Sequence, residues 1–111
     1  MTTYLPLDTD GNPIPALRLK DNKAHRISVT ESTARNSAPL SKDTAIISLY
    51  ATEDMFLRFG DETVAATEDD HFFPAGIYYD MALGSEKNGH ATHIAAIRAS
   101  ADGTLYISEK E

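Results

Sequence analysis

Apolar side chains recur at every second position in the most apolar stretch of the chain, residues 44–60. Two alternating sets flank a polar turn at residues 52–54: Ile47, Leu49 and Ala51 before it, and Met55, Leu57 and Phe59 after it. Because successive side chains of a strand point to opposite faces, this period predicts two strands joined as a hairpin. The opposite faces also carry apolar groups, which predicts central strands covered by a second sheet or by a neighbouring subunit.

Shorter alternating runs predict strands on the N-terminal side of this stretch. Residues 16–20 and 25–30 predict a first hairpin, because a polar tripeptide separates two alternating runs. Its expected inward residues are Leu17, Leu19, Ile27 and Val29. Residues 33–37 contain a further short strand, followed by a loop through Pro39.

The C-terminal half contains three more alternating runs, at residues 77–83, 92–99 and 104–108. The last two flank an Asp-Gly dipeptide, which typically supplies the positive φ values of a tight turn, so they predict a final hairpin. The expected inward residues of the last run are Leu105 and Ile107. Residues 63–66 predict a brief strand within an otherwise acidic and solvated excursion.

About eight strands without an amphipathic helix predict an all-β fold: an antiparallel β-sandwich, a jelly roll or a small barrel. Residues 1–15 hold three of the five prolines, which lack a backbone donor, so they predict an extended Pro-rich N-terminal arm. A chain of 111 residues has the usual size of one domain. Residues 16–111 are therefore expected to form a single β domain.

Composition narrows the classes of partner. No apolar run approaches the ~18 residues that span a membrane, and the first residues lack the apolar core of a signal peptide, so we expect no membrane partner and a cytoplasmic site of synthesis. The net charge is -7 and the ten Lys and Arg are scattered. Because nucleic-acid binding depends on clustered basic charge, we expect no nucleic-acid partner.

No catalytic motif accompanies the strands: the chain has no phosphate-binding glycine loop, nucleophile elbow or HExxH pattern. Cysteine is absent, which excludes thiolate metal sites. The candidates for a metal site of cupin type are His71, His90 and His93. A spacing of three along a strand puts the last two on opposite faces. We therefore predict no catalytic residue, no cofactor and no metal.

Four aromatic residues are the candidates for a surface that contacts another protein or a ligand: Phe72, Phe73, Tyr78 and Tyr79. Aromatic rings dominate both cores and interfaces, so core packing is the alternative for half of them. A ligand platform requires these rings to cluster on one exposed face.

Residues 45–109 combine an AT-acid turn between strands, a strand ending in RFG, a Thr-, Ala- and Asp-rich excursion, FPAG, and a last turn around ADGTL. This combination resembles a recurring pattern in small virion-associated structural proteins of the head-tail module of tailed bacteriophages and prophages. The resemblance implies a structural role without catalytic residues. We therefore expect a non-enzymatic homo-oligomer, with a trimer favoured, that contacts other virion proteins and passes from the host cytoplasm into the virion. The alternative is a small β-sandwich module that binds a ligand such as a carbohydrate.

Overall fold

The computed structural model describes residues 17–84 and 89–111, and its regular elements are all β-strands. They are β1 (Leu19–Val29), β2 (Ala34–Arg35), β3 (Ile46–Ala51), β4 (Met55–Gly60), β5 (His71–Phe73), β6 (Tyr78–Ala82), β7 (His93–Arg98) and β8 (Gly103–Lys110). Within these ranges no helix has the length and apolar character needed to cross a membrane. The predicted N-terminal arm, residues 1–15, lies outside the described residues.

The strands form two antiparallel sheets of four. The first sheet has the order β1-β8-β3-β6 and the second the order β2-β7-β4-β5. The strands can be drawn as one long two-stranded antiparallel ribbon in which the chain reverses direction at residues 61–70. Its paired strands are β1 with β8, β2 with β7, β3 with β6 and β4 with β5. When this ribbon rolls up, β8 meets β3 and β7 meets β4. This arrangement is the jelly-roll form of the β-sandwich, which confirms the predicted fold class.

Two of the predicted hairpins are wrong: their strands are present, but the two strands of each hairpin do not pair with each other. β3 pairs with β8 and β6, whereas β4 pairs with β7 and β5, so residues 52–54 cross from one sheet to the other. Residues 99–102 make a second crossing, from β7 to β8. The apolar faces of consecutive strands therefore meet across the interior of the sandwich instead of lying side by side. β3 and β4 are interior strands of their sheets, as predicted for central strands.

The two crossings pack against each other. The Thr52 amide donates to the Thr104 carbonyl at 3.0 Å, and the Thr104 amide donates to Thr52 Oγ1 at 2.8 Å. A Cβ on Gly103 would lie 2.8 Å from Cβ of Glu53, closer than side chains approach. Gly103 is not among the glycines with positive φ. It is therefore required for close approach of the two crossings, not for the tight turn that the sequence predicted.

The predicted first hairpin is one strand, β1, which pairs with β8 at Leu19 and again from Ala24 to Val29. Its register with β8 shifts between Leu19 and Ala24, and Asn22 within this stretch has a φ of 62°. Asparagine tolerates this left-handed conformation, so the polar tripeptide makes an irregularity in the strand instead of a reversal. Of the four expected inward residues, Ile27 and Val29 are buried, whereas Leu17 and Leu19 are exposed.

One hydrophobic core fills the space between the sheets. It contains Ile27, Val29, Leu40, Ile47, Leu49, Ala51, Met55, Leu57, Phe73, Leu83, Ile94, Ala96, Leu105 and Ile107. Residues 63–66, predicted as a brief strand, have no strand structure. They fold over the outer face of the second sheet, where Val64 and Ala66 bury Ala95. Burial of apolar side chains on both faces of β7 explains its alanine-rich sequence.

Candidate functional site

Three tyrosines stand in one row across the outer face of the first sheet. Tyr106 on β8, Tyr50 on β3 and Tyr78 on β6 are direct cross-strand partners, and we call them the tyrosine row. Arg26 on β1 is the partner of Tyr106 and extends the row at its β1 end. Strands in a sheet lie about 4.8 Å apart, so the three tyrosines span about 10 Å. The Tyr50 and Tyr78 ring centroids are 6.2 Å apart, and the rings are tilted by 36°.

The rings of the tyrosine row remain accessible. Tyr78 is 58% exposed and Tyr106 43%, while Tyr50 between them is half-buried. Hydroxyl groups flank the row, because the residues two positions away on each strand share its face. They are Ser28 and Thr104 on one side, and Ser48 and Ser108 on the other. Ser48 is buried, and its hydroxyl donates to Asp80. The row is therefore an aromatic strip between two polar borders.

Asp80 completes the second polar border, next to Ser48. Its carboxylate accepts hydrogen bonds from Lys110 Nζ at 2.8 Å and from Ser48 Oγ at 2.6 Å. These two bonds hold the pKa of Asp80 below its usual value, and the bond from Lys110 has the larger effect. Asp80 is therefore ionised and fixed in place at neutral pH, beside the tyrosine row.

An apolar patch lies on the opposite side of the molecule, on the outer face of the second sheet. Phe72 on β5, Phe56 on β4 and Ile97 on β7 are direct cross-strand partners, and we call them the phenylalanine patch. Phe72 is 56% exposed, and its ring meets that of Phe56 edge-on at a centroid distance of 5.8 Å. In contrast to the tyrosine row, these side chains carry no polar atom.

The four aromatic residues singled out from the sequence do not share one face. Phe72 belongs to the phenylalanine patch and Tyr78 to the tyrosine row. Phe73 is buried in the core, and Tyr79 lies on the inner side of the edge strand β6 with its ring 5.3 Å from that of Phe73. The single platform envisaged for a ligand is therefore not formed by these four residues. Two members of the tyrosine row, Tyr50 and Tyr106, were not among the candidates.

A polar network occupies the core at one end of the sandwich. Glu109 follows Leu105 and Ile107 on the inner face of β8 and is fully buried. His25 Nε2 lies 2.7 Å from one carboxylate oxygen of Glu109, and the Thr44 hydroxyl and the Ser41 amide donate to the other. Burial alone would raise the pKa of Glu109. The hydrogen bonds outweigh burial and lower the pKa, and the bond with His25 contributes most to this lowering. Glu109 is thus held as a buried anion.

The lowered pKa of Glu109 makes stability depend on pH. Since the folded pKa lies below the ordinary value of 4.5, folding favours the ionised form. This stabilisation is fully present above pH 4.5 and is lost as the pH falls through the folded pKa. We expect the urea midpoint of unfolding to decrease when the pH is lowered from ~6 to ~3.

The matched comparison is Glu109→Gln, which keeps the shape of the side chain but cannot ionise. Its urea midpoint should decrease less over the same pH range, because only exposed carboxylates such as Asp43, Asp61 and Asp80 still contribute. Equal decreases in both proteins would show that Glu109 does not have a lowered pKa.

The three histidines considered for a metal site are not brought together. His90 Nε2 is 2.6 Å from the Thr44 carbonyl oxygen, His93 Nδ1 is 2.8 Å from the Thr92 hydroxyl, and His71 is exposed on β5. Among residues 17–84 and 89–111, no group of three His, Asp or Glu side chains could hold a metal ion. Each of the two bonded histidines has a structural hydrogen bond instead.

An open groove of about 820 Å³ lies beside β2, and its lining includes Arg35, Asp61 and Glu62. Its floor includes Asn36, whose side chain bonds only to the backbone: the amide donates to the Ala38 carbonyl at 2.6 Å and the oxygen accepts from the Ile94 amide at 2.8 Å. Asn36 therefore fixes the chain and offers no free group to a ligand.

Comparison with known proteins adds no relative to this picture: no family model, curated protein or solved structure matches the chain. Function must therefore be inferred from the tyrosine row, the phenylalanine patch and the buried network. Of these, the two surface features can contact another molecule directly, whereas the network lies inside the sandwich.

Proposed function

We propose that the protein is a non-enzymatic structural or assembly protein of a phage or prophage. It acts as a homo-oligomer, with a trimer as the expected state, and contacts other virion proteins. The observation that carries this proposal is the phenylalanine patch, an exposed apolar surface on a regular sheet face. As the resemblance implies, the protein is made in the host cytoplasm and then becomes part of the virion.

The phenylalanine patch has the chemistry of a protein contact. Phe72 is more than half exposed and presents no polar atom, so its burial in an interface would remove apolar area from water at no cost in lost hydrogen bonds. Aromatic anchors of this kind carry much of the energy of protein interfaces. Phe56 packs beside the exposed ring, edge-on at 5.8 Å, which reduces the entropy that Phe72 would lose on association.

The jelly-roll topology is compatible with this role. Double-sheet jelly rolls occur in viral capsid proteins, in lectins and in cupins, so the fold admits a virion protein without selecting one. Support for assembly therefore comes from the phenylalanine patch and from the resemblance of residues 45–109. The topology is consistent with this role but does not by itself favour it.

Light scattering of the purified protein over a range of concentrations tests this proposal. We expect the mass of a closed oligomer, and we expect Phe72→Lys to raise its dissociation constant at least about tenfold, because anchors of this type contribute ~2 kcal/mol or more. The matched control is Tyr78→Lys, which changes an equally exposed aromatic residue on the opposite face (58% against 56%) and should leave the mass unchanged.

Two outcomes would contradict this proposal. A monomeric mass at the highest concentration would exclude homo-oligomerisation. An oligomer that persists in Phe72→Lys but dissociates in Tyr78→Lys would move the interface to the first sheet.

A second candidate function, a ligand-binding module for carbohydrate, is supported by a different surface. The tyrosine row offers exposed rings with polar groups on both sides, an arrangement suited to a ligand that has both apolar and hydroxylated faces. Both functions can belong to one protein, because the two surfaces lie on opposite sheets.

A further inference from the structure

We propose that the tyrosine row and Arg26 form a binding site for an oligosaccharide that carries a carboxylate group. This inference rests on the second candidate function and is independent of the phenylalanine patch. The site consists of Tyr50, Tyr78 and Tyr106, with Arg26 at one end. Only Tyr78 among these residues was a candidate from the sequence.

The tyrosines supply stacking surfaces in a line. Their cross-strand register places three rings at successive strand positions, about 10 Å from first to last, which is the length of a disaccharide. Each sugar ring has an apolar C–H face that can pack on an aromatic ring, while its hydroxyl groups point outward from its edge. A straight row of rings on a sheet therefore fits a linear sugar chain better than a compact ligand.

The polar borders of the row match the hydroxylated edges of such a chain. Ser28 and Thr104 lie on one side and Ser108 on the other, all on the outer face of the same strands. Ser48, next to Ser108, is buried and acts indirectly, by donating to Asp80. Asp80 adds a fixed carboxylate that can accept hydrogen bonds from sugar hydroxyl groups. The border of the phenylalanine patch is different in kind: it carries no hydroxyl group, and it includes Arg58, which forms an ion pair with Asp70 at 3.9 Å.

Arg26 determines the charge of the ligand. It is exposed at the end of the row and forms no ion pair with any described residue, whereas Arg18, Arg58 and Arg98 each have a carboxylate partner. Arg35 also has no ion pair among the described residues, but it lies on the other sheet and donates to the Val64 carbonyl. Arg26 is therefore the guanidinium next to the aromatic row that is available for an anion. A guanidinium binds a carboxylate with two parallel hydrogen bonds, so we expect the ligand to carry a carboxylate near its terminal ring.

Tyrosine fluorescence provides a direct test, because the chain has no tryptophan and three of its five tyrosines lie in the row. The probes are the tetramer of galacturonic acid and sialyllactose, each titrated beside a neutral counterpart, galactotetraose and lactose. We expect saturable changes in fluorescence at millimolar or lower concentrations with at least one acidic probe, and weaker binding of its neutral counterpart.

Variants assign the binding to named residues. Tyr106→Ala should weaken binding about tenfold or more, while Tyr106→Phe should retain most of it, since stacking requires the ring and not the hydroxyl. Arg26→Ala should remove the preference for the acidic probe. Phe72→Ala changes an exposed ring on the other sheet and should leave sugar binding unchanged. Thermal unfolding of each variant checks that it folds.

Three outcomes would overturn the sugar site. They are no saturable binding of either acidic probe at millimolar concentration, binding that is unaffected by Tyr106→Ala, and binding that Phe72→Ala abolishes. A protein ligand that Tyr106→Ala releases, in the absence of sugar binding, would identify the tyrosine row as a protein interface. Failure of this test leaves the light-scattering result on assembly unaffected, because that result depends on the opposite face.

Discussion

Replacing Glu109 with alanine is expected to lower the free energy of unfolding by about 3–5 kcal/mol, because three hydrogen-bonding groups lose the buried carboxylate as their partner. Glu109 is fully buried and accepts hydrogen bonds from Thr44 and Ser41, with His25 on its other oxygen. Alanine leaves these donors without their acceptor inside the sandwich, where water cannot replace it. Urea unfolding at neutral pH measures the change.

The matched control is Glu31→Ala. Glu31 also pairs with a basic side chain, Arg98 at 3.6 Å, but its own side chain is 80% exposed. Exposed pairs contribute little, so we expect a loss of no more than about 1 kcal/mol. The His25→Ala variant and the double variant complete a cycle that isolates the contribution of the pair. Equal losses for Glu109→Ala and Glu31→Ala would contradict a structural role for the buried network.

Alanine substitutions at two adjacent phenylalanines should differ several-fold in their effect on stability. Phe73 is 3% exposed and packs in the core against the ring of Tyr79, so Phe73→Ala should cost about 3–5 kcal/mol through the cavity that it leaves. Phe72 points to the outer face of the same strand, and Phe72→Ala should cost about 1 kcal/mol or less. Chemical unfolding of both variants as dilute protein measures the difference.

Low protein concentration is needed for this comparison, because an oligomer that buries Phe72 would add association energy to the apparent stability. The expected pattern at higher concentration is therefore informative. Phe72→Ala should then lose more stability relative to the wild type, while the loss for Phe73→Ala should stay nearly constant. A Phe72→Ala loss as large as that of Phe73→Ala in dilute monomer would place both rings in the core, contrary to the exposed position of Phe72.

Alternation along the strands grouped the side chains that share a face, but it assigned the inward face only in part. It put Leu49 and Tyr50 on opposite faces without deciding which of them faces the core, and it placed the exposed Leu17 and Leu19 inward. Its inward assignments of Leu105 and Ile107 are confirmed, because both residues are buried. These assignments hold because one face of every strand must be buried, whichever sheet the strand belongs to. The fold class followed from the number of such strands and the lack of helical periodicity.

Pairing and register could not be predicted in the same way. A polar tripeptide between two alternating strands suits both a hairpin and a crossing between sheets, so residues 52–54 were assigned to a hairpin. The tyrosine row depends on register across three strands that are distant in sequence, and alternation contains no information about it. Tyr50 and Tyr106 therefore stayed unrecognised, whereas Tyr78 was singled out as an aromatic residue, without its partners in the row.

The folded-ribbon arrangement of the strands has a consequence for the order of folding events. The innermost pair, β4 with β5, brings together residues as near as Leu57 and His71, while the outermost pair, β1 with β8, joins Leu19 to Lys110. Loop-closure entropy favours pairing that starts at the inner end and proceeds outward, each pair shortening the loop of the next. The predominance of distant contacts places the protein among slow folders, on a scale of milliseconds to seconds. Glu109 and His25 belong to the outermost pair, so their loss should act mainly by accelerating unfolding.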